Sequence, residues 1–131
     1  MEIDNLDEKI IEMLRLNSRF TNRAIASVLK VSEGTIRRRI KIMQDKKVIT
    51  KFTIETRDQK EAIVLLTYDF KKKPEVMKSL SKISAVLYEV AGKSDLAIVI
   101  TYTNLMELNE LIDNIQEIEG IKKTETMIRL K

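Results

Sequence analysis

The 131 residues contain no cysteine and no histidine, and those two absences remove most of the chemistry open to a small protein. Without Cys there is no disulfide, no Cys-ligated zinc site and no thiol nucleophile. Without His the commonest transition-metal ligand and the near-neutral acid-base group are missing. Paired acids, a Gly-rich phosphate loop and an activated nucleophile are equally hard to find, so neither catalysis nor a metal or cofactor is expected. Aromatic residues amount to three Tyr and three Phe, too scattered to form a stacking platform for single-stranded RNA. The longest apolar runs, IVLL at 63–66 and LAIVIT at 96–101, are far shorter than a bilayer span, and the acidic start MEIDNLDEK is unlike a signal peptide. A cytoplasmic location with no membrane partner is expected. The length suits one medium core or two small ones, as in a compact regulator or binding module.

What is present is unevenly charged. Residues 1–52 hold twelve Lys or Arg against seven Asp or Glu, whereas residues 53–131 hold twelve against thirteen. The net charge of +4 therefore belongs to the N-terminal part, where it would attract a polyanion.

Apolar residues at helical spacing predict a first helix from near Asp7, with Leu6, Ile10, Ile11 and Leu14 on one stripe and Asn17 and Ser18 at its end. Thr21 can cap a second helix that buries Ile25, Ala26 and Leu29. Lys30 and Val31 leave room only for a tight turn. Ser32 then caps a third helix in which Ile36, Ile40 and Met43 face inward while Arg37, Arg38, Lys41 and Gln44 face outward and Arg39 lies nearer the seam. Two short helices around a tight turn, the second rich in arginine, are how a DNA-reading helix-turn-helix presents itself. VITKFTIE at 48–55 changes to a strand-like alternation and is expected to form a wing. Polar RDQK at 57–60 marks the boundary, giving a DNA-binding domain at 1–56 and a second domain at 57–131.

From Ala62 the order reads strand (62–70), helix (74–83), strand (86–91), strand (95–102), helix (105–118), strand (121–130). That is the βαββαβ order of a ferredoxin-like domain, and the whole chain is of the α+β class. Pro74, the only proline, sits in the first turn of a helix, where it is tolerated. Two helices cover one face of the sheet. The other face is left with residues such as Val64, Leu66, Tyr68, Val90, Leu96, Ile98, Ile100 and Tyr102, in whatever alternation the register allows, and a small sheet apolar on both faces needs a partner. A homodimer is the economical answer.

LDEKIIEMLRLNSR from Leu6, VSEGTIRRRIKIM followed by Val48-Ile49, AGKSD at 91–95, and GIKKTETMI with Gly120 and Thr126 together resemble the Lrp/AsnC (leucine-responsive, or feast-famine) family of bacterial and archaeal transcriptional regulators, with an archaeal source expected. The pieces span nearly the whole chain in the correct order. The resemblance implies an N-terminal winged helix-turn-helix that reads double-stranded DNA and a C-terminal ferredoxin-like domain that oligomerises and binds an amino-acid effector. It also implies dimers that build tetramers or octamers. Lys47 stands where the family usually has glycine before the Val-Ile pair, so a non-glycine residue must take any left-handed geometry there.

The third helix places Ser32, Glu33, Gly34, Thr35, Arg37, Arg38 and Lys41 as candidate DNA contacts. Arg37 or Arg38 suits bidentate reading of guanine, and Lys41, Arg23 and Lys30 suit phosphate clamping. The plain alternative is that RRR is a solvated helix face. For the effector, the resemblance points to Gly92, Lys93, Ser94 and Asp95, with Thr124 and Thr126 from the last strand. Gly92 and Asp95 equally suit a simple turn, one supplying backbone freedom and the other an acceptor for nearby amides. Two competitors stand beside a sequence-specific regulator. One is an architectural DNA binder without effector response. The other is a small enzyme using Asp95, Glu89 and Lys93.

Overall fold

The computed structural model describes residues 2–83 and 85–131, and the chain divides into two compact units, Met1–Glu55 and Thr56–Lys131. In the first, helices α1 (Asn5–Leu16), α2 (Asn22–Leu29) and α3 (Glu33–Asp45) enclose a small core of Ile10, Ile25, Ala26, Ile36 and Met43. Each helix starts on a short polar residue that satisfies an otherwise orphaned backbone N–H. Thr21 Oγ1 accepts from Ala24 N and Ser32 Oγ from Thr35 N, at 3.0 and 3.1 Å, as their sequence positions predict. Helix α1 begins earlier than expected. Asp4 is its cap and Asp7 is the third residue of the first turn, the two forming a reciprocal capping box.

Two lysines close helices in the left-handed region, Lys30 at φ 57° after α2 and Lys47 at φ 60° after α3. The expected strain at Lys47 is thus present, and Lys30 adds a second case. Behind Lys47, the amides of Val48 and Ile49 both donate to Met43 O, at 2.8 and 3.0 Å, which folds these two residues against the core. The expected wing does not follow. Residues 50–55 have no strand partner and are exposed throughout, with Ile54 75% exposed. Alternation encodes a face, whereas a strand also needs a neighbour to take its hydrogen bonds.

The second unit is an antiparallel sheet in the order β2-β3-β1-β4, built from β1 (Glu61–Tyr68), β2 (Val86–Glu89), β3 (Leu96–Thr101) and β4 (Ile121–Ile128). Helices α4 (Lys73–Leu80) and α5 (Leu105–Gln116) cover one face. This is the βαββαβ arrangement that the sequence predicts, with a 3-10 turn at Phe70–Lys72 leading into α4. The core joins Val64, Leu66, Tyr68, Leu96, Ile98 and Ile100 to Val76, Leu80, Leu108 and Ile115 of the helices.

Those six strand residues are the ones expected on the open face, so the parity is inverted. Val90 and Tyr102 lie beyond the ends of β2 and β3. The register puts Ile63, Leu65, Val86, Tyr88, Ala97, Val99 and Met127 on the uncovered side. Both sides of these strands are apolar, so alternation could not say which one the helices take. The unpartnered apolar face survives with different residues on it. Among the described residues no helix is long and apolar enough to cross a membrane.

Candidate nucleic-acid interface

Helix α3 buries Ile36 and Met43, which turns the opposite side of the helix outward. Arg37, Arg38 and Lys41 are exposed there, as are Arg23 on α2 and Lys30 in the turn between α2 and α3. The turn is held by Val31 N donating to Ala26 O at 3.1 Å. Local geometry thus assembles the basic candidates around one helix-turn-helix, with the α3 side chains presented along a rigid element.

The first turn of α3 is less free than its composition suggests. Ser32 Oγ and Thr35 Oγ1 lie 2.8 Å apart, and Ser32 also accepts the Thr35 amide, so both hydroxyls already serve the cap. Glu33 pairs with Arg37 at 3.5 Å, one turn apart on an exposed face where such a pair is weak. A Cβ on Gly34 would meet only Arg37 Nη2, at 3.7 Å, so packing does not require glycine there. Arg38 is exposed and has no ion-pair partner among the described residues.

Arg39 behaves differently from its neighbours. Its Nη1 lies 2.5 Å from Asp4 Oδ2 and 3.3 Å from both carboxylate oxygens of Asp7. Asp7 is only 1% exposed. The Asp7 backbone amide and then the Arg39 guanidinium hold the Asp4 carboxyl below its ordinary range, while the Asp4 hydrogen bond raises the Arg39 pKa. Sequence reasoning placed Arg39 near the seam and missed its partners. The signal was an acid, Asp7, at helical spacing with Ile10 and Leu14 on α1, facing a base next to the buried stripe of α3.

The second candidate region is the turn between β2 and β3. Asp95 Oδ2 accepts Tyr68 N at 3.2 Å, Asp95 N donates to Leu66 O at 2.9 Å, and Val90 N donates to Asp95 O at 3.0 Å. The aspartate therefore ties the turn to the end of β1. Gly92 has φ 140° with nothing within 4 Å of an added Cβ, Lys93 is exposed and Ser94 half-buried. Thr124 and Thr126 pair with Leu66 and Val64 from the opposite side of β1, on the helix-covered face, where Thr124 Oγ1 accepts from Gln116 Nε2 at 3.0 Å. The strand β1 thus separates the two sets of effector candidates. Glu89, weighed for catalysis, pairs with Lys73 at 2.8 Å.

Residues 3–44 match the AsnC-type helix-turn-helix domain and residues 61–131 the Lrp/AsnC ligand-binding domain. The HTH-type transcriptional regulator LysM of Sulfurisphaera tokodaii is 36% identical, over 99% of this chain and 96% of its own length. The structure of AsnC from E. coli aligns with TM-score 0.69 at 27% identity, over 100% of this chain and 94% of that one. The feast or famine regulatory protein from M. tuberculosis shares the fold, with TM-score 0.74 at 18% identity over 99% and 93% of the two chains. Two domain matches in order and relatives aligned along the full length agree with the basic α3 face and the half-covered sheet: the chain belongs to the Lrp/AsnC family of helix-turn-helix transcriptional regulators.

Proposed function

We propose that the protein regulates transcription by placing α3 in the major groove of specific operators, working as a homodimer or a larger assembly of dimers and responding to an amino acid. One observation carries the reading: Arg38, with no ion-pair partner among the described residues, projects from the face of α3 opposite its buried stripe, flanked by Arg37 and Lys41. A guanidinium fork on a rigid helix suits guanine O6 and N7, and the surrounding lysines supply affinity that depends on salt rather than sequence. In this reading Arg23, Lys30 and Lys41 clamp phosphates, and Glu33, Gly34 and Thr35 approach the bases from the first turn, with Ser32 as the cap beneath them.

The effector role of the C-terminal unit is supported by its match to a ligand-binding domain and by the M. tuberculosis relative in fold, solved in complex with L-methionine. Gly92, Lys93, Ser94 and Asp95 are its candidate contacts, with Thr124 and Thr126 secondary because β1 stands between the two groups. The apolar open face of the sheet supports assembly with a second copy.

Titrating the purified protein against genomic fragments with excess nonspecific competitor, then footprinting what is retained, tests the reading. Discrete protected sites that shift with one member of an amino-acid panel are expected. Uniform protection at every sequence would favour an architectural role instead.

A further inference from the structure

The three consecutive arginines of α3 meet three different surroundings. Arg37 reaches back along its own helix to Glu33, Arg38 stands exposed, and Arg39 turns to the N-terminus of α1, where it bridges Asp4 and Asp7. Asp4 and Asp7 are already joined to each other by the capping box. The start of α1 and the middle of α3 therefore form one charged network across 32 to 35 residues of sequence.

The rest of the contact between these helices is apolar, through Ile10, Ile36 and Met43. Apolar burial is non-directional and resists rotation of a helix about its axis only through side-chain shape. A guanidinium shared by two carboxylates is directional, and the Asp7 carboxylate, buried as it is, has reason to keep its partner. The clasp thus adds a directional restraint to the apolar packing of α3 against α1 and α2, and a small rotation would sweep the tip of Arg38 away from a base edge.

We propose that the Asp4–Arg39–Asp7 clasp sets the rotation of α3, making Arg39 a positioning residue for operator specificity that acts through Arg38 without touching DNA. This rests on the reading of α3 as the DNA-recognition helix. It also explains why one member of a basic triplet is held by two acids in the domain that needs positive charge.

The test compares the full chain and its variants on a footprinted operator and on a scrambled duplex, across a salt series. Asp4→Asn keeps a good cap for α1 and leaves Arg39 its bond to Asp7, so the fold is retained. It is expected to weaken operator binding roughly fivefold, in the range of coupling within such networks. Binding to the scrambled duplex should not weaken. Arg39→Lys, which keeps the charge and drops the fork, should do the same. Simple electrostatics predicts the opposite sign for Asp4→Asn, because a repelling carboxylate has been removed. Unchanged or tighter operator binding by that variant overturns the proposal. A log affinity against log salt slope shallower by about 0.9 in Arg39→Gln also overturns it, since that marks a phosphate contact. A wild type that binds both duplexes alike defeats the recognition reading itself, and the proposal falls with it before any variant is compared.

Discussion

Residue by residue, positive φ has opposite meanings at Lys47 and Gly120. Lys47 holds φ 60° with a Cβ that a left-handed residue carries at a penalty of about 1–2 kcal/mol. Part of that is offset by the greater unfolded-state freedom of glycine, so Lys47→Gly should stabilise the chain by about 0.5–1 kcal/mol, read as a raised urea midpoint at unchanged m. Gly120, at φ 102°, would put an added Cβ 2.7 Å from Lys72 Cβ and 3.0 Å from Val76 Cγ2. Neither atom is the far end of a flexible side chain, so Gly120→Ala should destabilise by about 2–3 kcal/mol in the same measurement. At the DNA face, Arg38→Ala is expected to weaken operator binding by about 1–3 kcal/mol and relax the preference at one base pair. Affinity unchanged on the footprinted operator would remove Arg38 from the reading. The sequence points to Lys47 and to Arg37 or Arg38, because turn position and helical phase are local properties. Helical phase also sets Arg39 apart from Arg38, nearer the seam, but that Asp4 and Asp7 meet it there depends on how α1 packs against α3.

Helices and strands were legible to different depths for the same reason. Caps at Thr21 and Ser32 are decided within three residues of chain and appear as expected. Helix α1 starts at Asn5 because Asp4 and Asp7 satisfy each other's backbone, a choice between two nearby acids that spacing alone leaves open. Sheet parity and the missing wing depend on what lies across a strand. The capped ends also set the pH response. Asp4, and Glu107 at the start of α5, have carboxyls lowered from the usual range, Glu107 by the Thr103 hydroxyl and then its backbone amide. A folded-state pKa below the unfolded one gives stability that is present above the ordinary carboxylate pKa of about 4 and is lost as pH falls through the folded value. Lys72 and Lys73 are raised by Glu119 and Glu89, so their contribution is present below the unfolded lysine pKa and is lost as pH rises through the folded value. Thermal melts should therefore show a plateau between these limits. The acid limb should become shallower in Asp4→Asn combined with Glu107→Gln, and an acid limb identical to that of wild type would sink this assignment.

For the molecule as a whole, the decisive feature is apolar surface that one chain leaves open. Ile63, Tyr88 and Met127 are at least 39% exposed on the side of the sheet away from α4 and α5. In the N-terminal unit, Leu16, Phe52 and Ile54 are exposed along a groove between α1 and the extended segment that follows α3. A second copy would cover the sheet at little loss to the fold, because the core beneath α4 and α5 is complete without it. Ile63 is the place to test this. It sits on the central strand β1, pairs in register with Val99 and Met127, and its half-exposed side chain can be exchanged for lysine without entering the core. Ile63→Lys should leave the melting cooperative and shift the mass measured by light scattering from an assembled species to a monomer. Loss of the second α3 removes the avidity of binding two half-sites, so affinity for a palindromic operator should fall about 100-fold or more. Binding to an isolated half-site should hold. An assembly that keeps its mass with lysine at this position would place the interface elsewhere and leave the apolar sheet in need of a different partner.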